Sequence, residues 1–305
     1  MRFVVTGAAG FIGSHLSEAL LARGDDVVGV DCFTDYYDPR EKEENASGFD
    51  VLRLDLAEDD LDLNDVDGVF HLAGQPGVRS FGEAFPLYLR RNVLATQRVF
   101  RSAAEAGVRV VLASSSSVYG EAERYPTPED TRPEPISPYG ITKLACEQLA
   151  HAYAAGFDLD AVGLRYFTVY GPRQRPDMFF RRVCDLLVSG GTFEIFGTGE
   201  QSRSFTEVSD VVSASIAAME GAPADVIYNV GGGEEASMLE AIALLERISG
   251  RTLEVRRVDR ARGDVARTKA DVSRIRAALG WEPSVSLADG LERMWAWASA
   301  RVAAR

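Results

Sequence analysis

The apolar, β-branched run from Arg2 to Thr6 meets three glycines, Gly7, Gly10 and Gly13, and a helical pattern through Leu16, Leu20 and Leu21 comes next without a spacer. Few folds accept that order. Glycines let the backbone approach a pyrophosphate, while the helix N-terminus, entered through Phe11 and Ile12, offers free N–H groups and a positive dipole end. The spacing is Gly-x2-Gly-x2-Gly rather than the commoner Gly-x-Gly-x2-Gly, and a plain tight turn is the competing reading.

The segment after this first helix narrows the choice. The run Asp26-Val27-Val28-Gly29-Val30-Asp31 reads as a second strand ending in an acid about 20 residues beyond the turn, where a carboxylate accepts both ribose hydroxyls of an adenosine and repels a 2′-phosphate. This favours NAD over NADP. An aspartate that only caps a turn is the alternative.

Residues 33 to 48 are polar and loop-like, with Tyr36 and Tyr37 among them. A third strand is expected near Asp50 to Leu54, ending in Asp55-Leu56, and Glu58, Asp59 and Asp60 beyond it read as a solvated acidic run. A fourth runs Gly68-Val69-Phe70-His71-Leu72-Ala73-Gly74, with His71 read as a packed core histidine. A long helical region from about Phe81 to Gly107 carries Asn92, and a fifth strand, Val108 to Ala113, breaks into Ser114-Ser115-Ser116-Ser117. A sixth spans Ala161 to Tyr166. Alternating strands and helices predict an α/β fold, a Rossmann-type doubly wound parallel sheet whose ligands collect at the carboxyl ends of the strands. The texture changes after that. A NAD-binding domain over 1–170 and a smaller C-terminal α/β substrate-binding lobe over 171–305 are expected, interleaved rather than separable.

The helix pattern after Ser137-Pro138 places Tyr139 and Lys143 at i and i+4, on one face. A neighbouring ammonium stabilises phenolate over phenol, which brings a tyrosine toward use as a general base. Among 10 tyrosines and three lysines an accidental pair is the competing reading, so this one draws its weight from the motifs before it.

The net charge of -13 argues against nucleic acid or an anionic membrane surface as the main partner. Small anions need only local arginines, and Arg165, Arg173, Arg175, Arg181, Arg182 and Arg203 cluster in the second half, each either an anion ligand or a solvated surface charge. Cys32, Cys146 and Cys184 match no metal-ligand spacing and suggest a reduced, cytoplasmic setting without disulfides or metal. No apolar run approaches the ~20 residues of a membrane helix.

Taken together, Gly7/Gly10/Gly13, Asp31, Asp55-Leu56, His71-Leu72-Ala73-Gly74, Asn92, Ser115 with Val118-Tyr119-Gly120, Tyr139/Lys143 and Arg203-Ser204-Phe205-Thr206 resemble, in order, the extended short-chain dehydrogenases/reductases of the nucleotide-sugar epimerase/dehydratase branch. Within it, Phe167-Thr168-Val169-Tyr170-Gly171-Pro172 with Arg175-Pro176-Asp177-Met178 is similar to the signature of UDP-glucuronate 4-epimerases, as is Asp31-Cys32-Phe33-Thr34-Asp35-Tyr36-Tyr37. Two positions depart from the branch: Ser204 stands where an aspartate is usual, and Ala261 where an arginine is.

The resemblance implies NAD held by Gly7, Gly10, Phe11, Ile12, Gly13, Asp31, Asp55, Leu56, Leu72, Ala73, Gly74, Asn92, Tyr139 and Lys143. It implies a UDP-sugar contacted by Arg79, Ser116, Ser117, Thr168, Arg175, Arg203, Arg262 and Asp264. Ser115, Tyr139 and Lys143 would carry C4 epimerisation through a transient 4-keto sugar, in a homodimer paired through helices near 83–107 and 137–157. Dehydratases of the branch carry Thr-Asp-Glu after the fifth strand and decarboxylases Thr-Ser-Glu. Here Ser115-Ser116-Ser117 has no acid, and a serine cannot replace a carboxylate in proton transfer. A 4-epimerase of neutral UDP-sugars remains the nearest alternative, and a silent NAD sensor is disfavoured because Ser115, Tyr139 and Lys143 are all present.

Overall fold

The computed structural model describes residues 1–77, 82–259, 263 and 265–303. Seven strands, β1 (Arg2–Thr6), β2 (Asp26–Asp31), β3 (Val51–Arg53), β4 (Gly68–His71), β5 (Arg109–Ser115), β6 (Ala161–Tyr166) and β7 (Ile227–Val230), form one sheet in the order β3-β2-β1-β4-β5-β6-β7. Every neighbouring pair is parallel. The order reverses between β1 and β4, where Thr6 pairs with both Val30 and His71, so a crevice opens beyond the carboxyl ends of these strands.

Both sheet faces are covered, which is why the strands read as continuous apolar runs. Helices α1 (Phe11–Ala22), α2 (Pro39–Asn45), α3 (Ala95–Ala106), α4 (Pro138–Phe157), α5 (Phe179–Ser189), α6 (Val208–Glu220), α7 (Met238–Ser249), α8 (Ser273–Leu279) and α9 (Leu287–Ala303) supply the covering layers and the second lobe. On one face Leu16 and Leu20 of α1 pack with Val211 and Ala214 of α6 over Phe3 and Phe70. On the other, Val99 and Phe100 of α3 and Cys146 and Ala150 of α4 pack over Val4, Val69 and Val110. Each fully buried leucine contributes about 1.5–3 kcal/mol.

A further core, with Phe180, Val183 and Leu187 of α5, Ala241 and Leu245 of α7, and Leu291 and Met294 of α9, builds the second lobe. Thr192–Phe196 and Glu254–Val258 pair in parallel beside it. Because α6, β7 and Ile275 of α8 pack into the first core, the chain beyond residue 171 is shared between the two bodies.

Two local expectations differ from the structure. Residues 33–48 contain α2, since Asp38 accepts from the Arg40 backbone N–H as N-cap and Pro39 takes the first helical turn. Strand β5 runs two residues further, because Ser114 and Ser115 pair with Arg165 and Tyr166 of β6 before the chain turns. The acidic run is exposed as expected, and it pairs at the surface: Arg90 holds Glu58, Arg98 holds Asp60, and Asp59 accepts from the Asp55 backbone N–H. The long helical region is one run from Phe85 to Ala106, with a π-helical stretch at Leu89–Leu94 and Gly107 in the left-handed conformation as its cap.

Candidate active site

A cleft of about 710 Å³ follows the carboxyl ends of the strands and continues beneath the second lobe. Its floor begins at the glycine turn. Gly7 has φ +71°, and a Cβ there would stand 2.9 Å from the Ala73 nitrogen; a Cβ on Gly13 would meet the Gly7 carbonyl oxygen at 2.1 Å. No side chain fits at either place, so strands β1 and β4 and the start of α1 close onto one another and leave backbone facing the cleft.

Asp31 ends β2 at the cleft wall, its Oδ1 accepting from the Phe33 backbone N–H at 2.8 Å. Gly10, Phe11, Ile12, Asp55, Leu56, Leu72, Ala73 and Gly74 line the same stretch. The donor-rich turn, the strand-end carboxylate and the apolar slot between Leu56 and Leu72 fit the phosphates, ribose and adenine of NAD. Asn92 lies behind this wall rather than in it. Fully buried, it accepts from the Gln75 backbone N–H at 2.6 Å and donates to Thr142 Oγ1 at 3.0 Å, beside the space a Cβ on Gly74 would need.

The residues expected to be catalytic, Ser115, Tyr139 and Lys143, meet where β5 ends and α4 begins. Ser137 caps α4 by accepting from the Gly140 backbone N–H at 3.1 Å, and Pro138 opens its first turn, which sets Tyr139 and Lys143 one turn apart on the cleft side. Lys143 is 5% exposed; its Nζ donates to the Ala113 carbonyl at 2.7 Å and lies 5.8 Å from the Tyr139 ring centroid. Ser115 Oγ accepts from the Ser117 backbone N–H at 3.1 Å and donates to Ser117 Oγ at 3.1 Å. Ser115, Ser116, Ser117 and Tyr139 all line the cleft.

One turn further along α4, Glu147 is buried with Arg165 of β6, at 2.7 Å, and accepts from Ser114 Oγ as well. This pair ties α4 to β5 and β6 directly beneath the serine run. His71 is a core residue, bonded through Nδ1 to Thr6 Oγ1 at 2.8 Å and through Nε2 to Thr96 Oγ1 at 3.0 Å. Burial, with Lys143 nearby, pushes its pKa down to about 3, so the ring is neutral.

Beyond Tyr139 the cleft is lined by Thr168, just past β6, and by Arg175, Arg182 and Arg203 of the second lobe. Arg175 donates through Nε and Nη2 to Asp177, at 3.0 and 3.1 Å. Burial opposes its charge, but Asp177, with Tyr36 and Tyr139 nearby, outweighs this and holds its pKa above the ordinary value. Arg203 donates to the backbone carbonyls of Ser202 and Val265, at 2.8 and 2.7 Å. Ser204 bonds the Gly232 loop, accepting from its N–H at 3.1 Å, and so has a structural partner where an aspartate is usual in the branch.

The arginine cluster divides. Arg165, Arg173 and Arg181 serve ion pairs outside the cleft, with Glu147, Glu18 and Glu41 respectively, while Arg175, Arg182 and Arg203 reach it. Arg79, Arg262 and Asp264 lie outside the described residues. Sequence reasoning missed Lys42, Arg91, Gln174, Gln201 and Met238, which also line the cleft. Only the chain's path through the second lobe brings Gln201 and Met238 there; Lys42 was hidden in a segment read as loop. Among the described residues no group of three His, Cys, Asp or Glu could hold a metal ion, and no helix is long and apolar enough to cross a membrane.

Relatives match this chain over nearly its whole length. A UDP-glucuronic acid 4-epimerase from Bacillus cereus, solved with UDP-glucuronic acid and NAD, superposes with a TM-score of 0.94 at 40% identity, covering 99% of this chain and 100% of that one. The Bacillus subtilis UDP-glucose epimerase YtcB, itself uncharacterized, is 42% identical over 98% of both chains, and the UDP-glucuronate 4-epimerase of Thermodesulfobacterium geofontis is 34% identical over 98% of this chain and 97% of its own. Residues 3–231 match the family model, and with the glycine turn, Asp31 and the Tyr139/Lys143 pair in one cleft, the chain belongs to the NAD dependent epimerase/dehydratase family.

Proposed function

We propose that this protein interconverts UDP-glucuronate and UDP-galacturonate by epimerisation at C4. The observation that carries the reading is the convergence of Ser115, Tyr139 and Lys143 with Thr168 and Arg175 in one cleft continuous with the glycine turn. Bound NAD supplies an acceptor and donor of hydride for the sugar C4, and Gly7 to Gly13, Asp31, Asp55 to Leu56, Leu72 to Gly74 and Lys143 would hold it.

Tyr139 takes the proton of the C4 hydroxyl as the carbonyl forms and returns it when the sugar has turned its other face. Ser115 donates to the C4 oxygen and steadies the charge developing there. Lys143, anchored on Ala113 with its Nζ 5.8 Å from the Tyr139 ring centroid, would hold the nicotinamide ribose beside that base. Net redox change is zero.

With a uronate the 4-keto intermediate is a β-keto acid, so its carboxylate must be held with the C5–C6 bond out of line with the carbonyl π system. Ser116, Ser117, Thr168 and Arg175 are the polar groups placed for this, with Arg203 toward the nucleotide. Asn92 acts from behind the wall, through Gln75 and Thr142. Residues 1–170 thus serve mainly the cofactor and 171–305 mainly the nucleotide sugar.

A homodimer and a cytoplasmic setting complete the proposal. Exposed Leu89 and Leu94 on the helical run before α3, and Ile141 and Phe157 on α4, support the first; three free cysteines, two of them buried, support the second.

A second reading, UDP-glucose 4-epimerase, is favoured by one observation: the Arg175 charge is already answered by Asp177. Proton NMR of the purified protein with UDP-glucuronate, without added NAD, decides. UDP-galacturonate without CO2 supports the proposal; inertness toward the uronate with turnover of UDP-glucose selects the second reading.

A further inference from the structure

The Arg175 guanidinium has two edges on which a carboxylate can dock in bidentate fashion, the side edge formed by Nε and Nη2 and the end edge formed by Nη1 and Nη2. Asp177 occupies the side edge, Nε to Oδ1 at 3.0 Å and Nη2 to Oδ2 at 3.1 Å. Tyr36, in the segment between β2 and α2, reaches the same pair. Its Oη donates to Asp177 Oδ2 at 3.3 Å, and its ring centroid lies 5.9 Å from the Arg175 guanidinium carbon. Tyr36 sits five residues beyond Asp31, and the adjoining helix α2 is tied to the second lobe by Glu41, which accepts from Arg181 and Arg301. All three residues line the cleft.

We propose that Asp177, steadied by Tyr36, is a positioning residue that leaves only the end edge of Arg175 to the substrate carboxylate, and so selects epimerisation over decarboxylation. The inference rests on the uronate reading above. A substrate carboxylate meets a neutral Arg175–Asp177 pair in a fixed plane, rather than a mobile cation free to dock on either edge. Fixed geometry constrains rotation about C5–C6 more than it raises affinity.

When Asp177 no longer holds the side edge, the guanidinium turns and takes the carboxylate on that edge instead, and the C5–C6 bond can align with the C4 ketone. The electron pair of that bond then flows into the carbonyl, CO2 leaves, and C5 takes up a proton to give a UDP-4-keto-pentose, which returns to a UDP-pentose when the hydride taken from C4 is restored.

Asp177→Asn and Tyr36→Phe test this, with products resolved by NMR and KM measured beside kcat. Asp177→Asn is expected to raise pentose products relative to UDP-galacturonate by about tenfold and to lower KM for UDP-glucuronate by about threefold. Tyr36→Phe should move both in the same direction by less. If wild type epimerises UDP-glucuronate while both variants keep its product ratio and KM within about twofold, the positioning role is overturned and the functional reading stands. Loss of turnover in Asp177→Asn with an unchanged ratio in Tyr36→Phe overturns it equally. A wild type inert toward the uronate overturns the functional reading, and the inference with it.

Discussion

Lys143 Nζ stands 5.8 Å from the centroid of the Tyr139 ring, held there by a 2.7 Å hydrogen bond to the Ala113 carbonyl. The carbonyl belongs to β5, two residues before Ser115, so one strand end orders both Ser115 and Lys143. Replacing Tyr139 by Phe keeps the ring packing and removes the hydroxyl proposed as proton acceptor. The variant should purify with NAD bound, measured by extraction and absorbance, and turn over at less than about a hundredth of the wild-type rate. Higher residual activity would remove Tyr139 from its role as base.

Arg175 lines the cleft, and its Nη1 has no hydrogen-bond partner among the described residues. Arg175→Ala should therefore raise KM for UDP-glucuronate by about tenfold or more, while affecting a neutral UDP-sugar much less. Equal losses on the two substrates, in parallel steady-state assays, would deny it the carboxylate.

Leu94 and Ile141 are large, exposed and carried by neighbouring helical runs. Light scattering at micromolar concentration should give the mass of a dimer, and Leu94→Glu with Ile141→Glu should shift it to monomer, since like charges brought into a paired apolar surface repel and lose hydration. A wild-type monomer would end the proposal.

Glu147 and Arg165 are 1% and 4% exposed, with Ser114 and Tyr119 completing their hydrogen bonds. Removing one partner leaves a buried unpaired charge. Glu147→Leu should cost about 3–5 kcal/mol in denaturant unfolding, and Arg165→Met added to it should recover much of that loss. Additive losses would mean that the two side chains are not energetically coupled.

His71, neutral in the fold with a pKa near 3 against an ordinary value of 6.5, binds a proton more readily once unfolded. Its contribution is therefore fully present above pH 6.5 and is lost as pH falls from there toward 3, at about 1.4 kcal/mol per pH unit. His15, lowered to about 4 by burial and Arg173, acts in the same direction. Denaturant midpoints between pH 6.5 and 4 should show a shallower pH slope for His71→Leu than for wild type, whatever its absolute stability. Identical slopes would contradict the burial of a neutral imidazole.

Much of this protein is written locally. Strand β6 falls at Ala161–Tyr166 as expected, and the glycine turn, Asp31 and the α4 start at Ser137-Pro138 are short-range signals in which backbone sterics and capping leave little choice. They determine a parallel sheet, a dinucleotide turn and a Tyr/Lys face from sequence alone. The partners of the long charged side chains are not local. Arg173 finds Glu18 across 155 positions and Arg181 finds Glu41 across 140, while Arg175 turns to Asp177 two residues away. Nothing near these arginines in the chain distinguishes them, since a guanidinium is satisfied by whichever carboxylate the packed lobes bring within about 3 Å. Strand and helix order came from the sequence because they depend on neighbours in the chain; the choice of which arginine faces the cleft came from the tertiary structure, because it depends on neighbours in space.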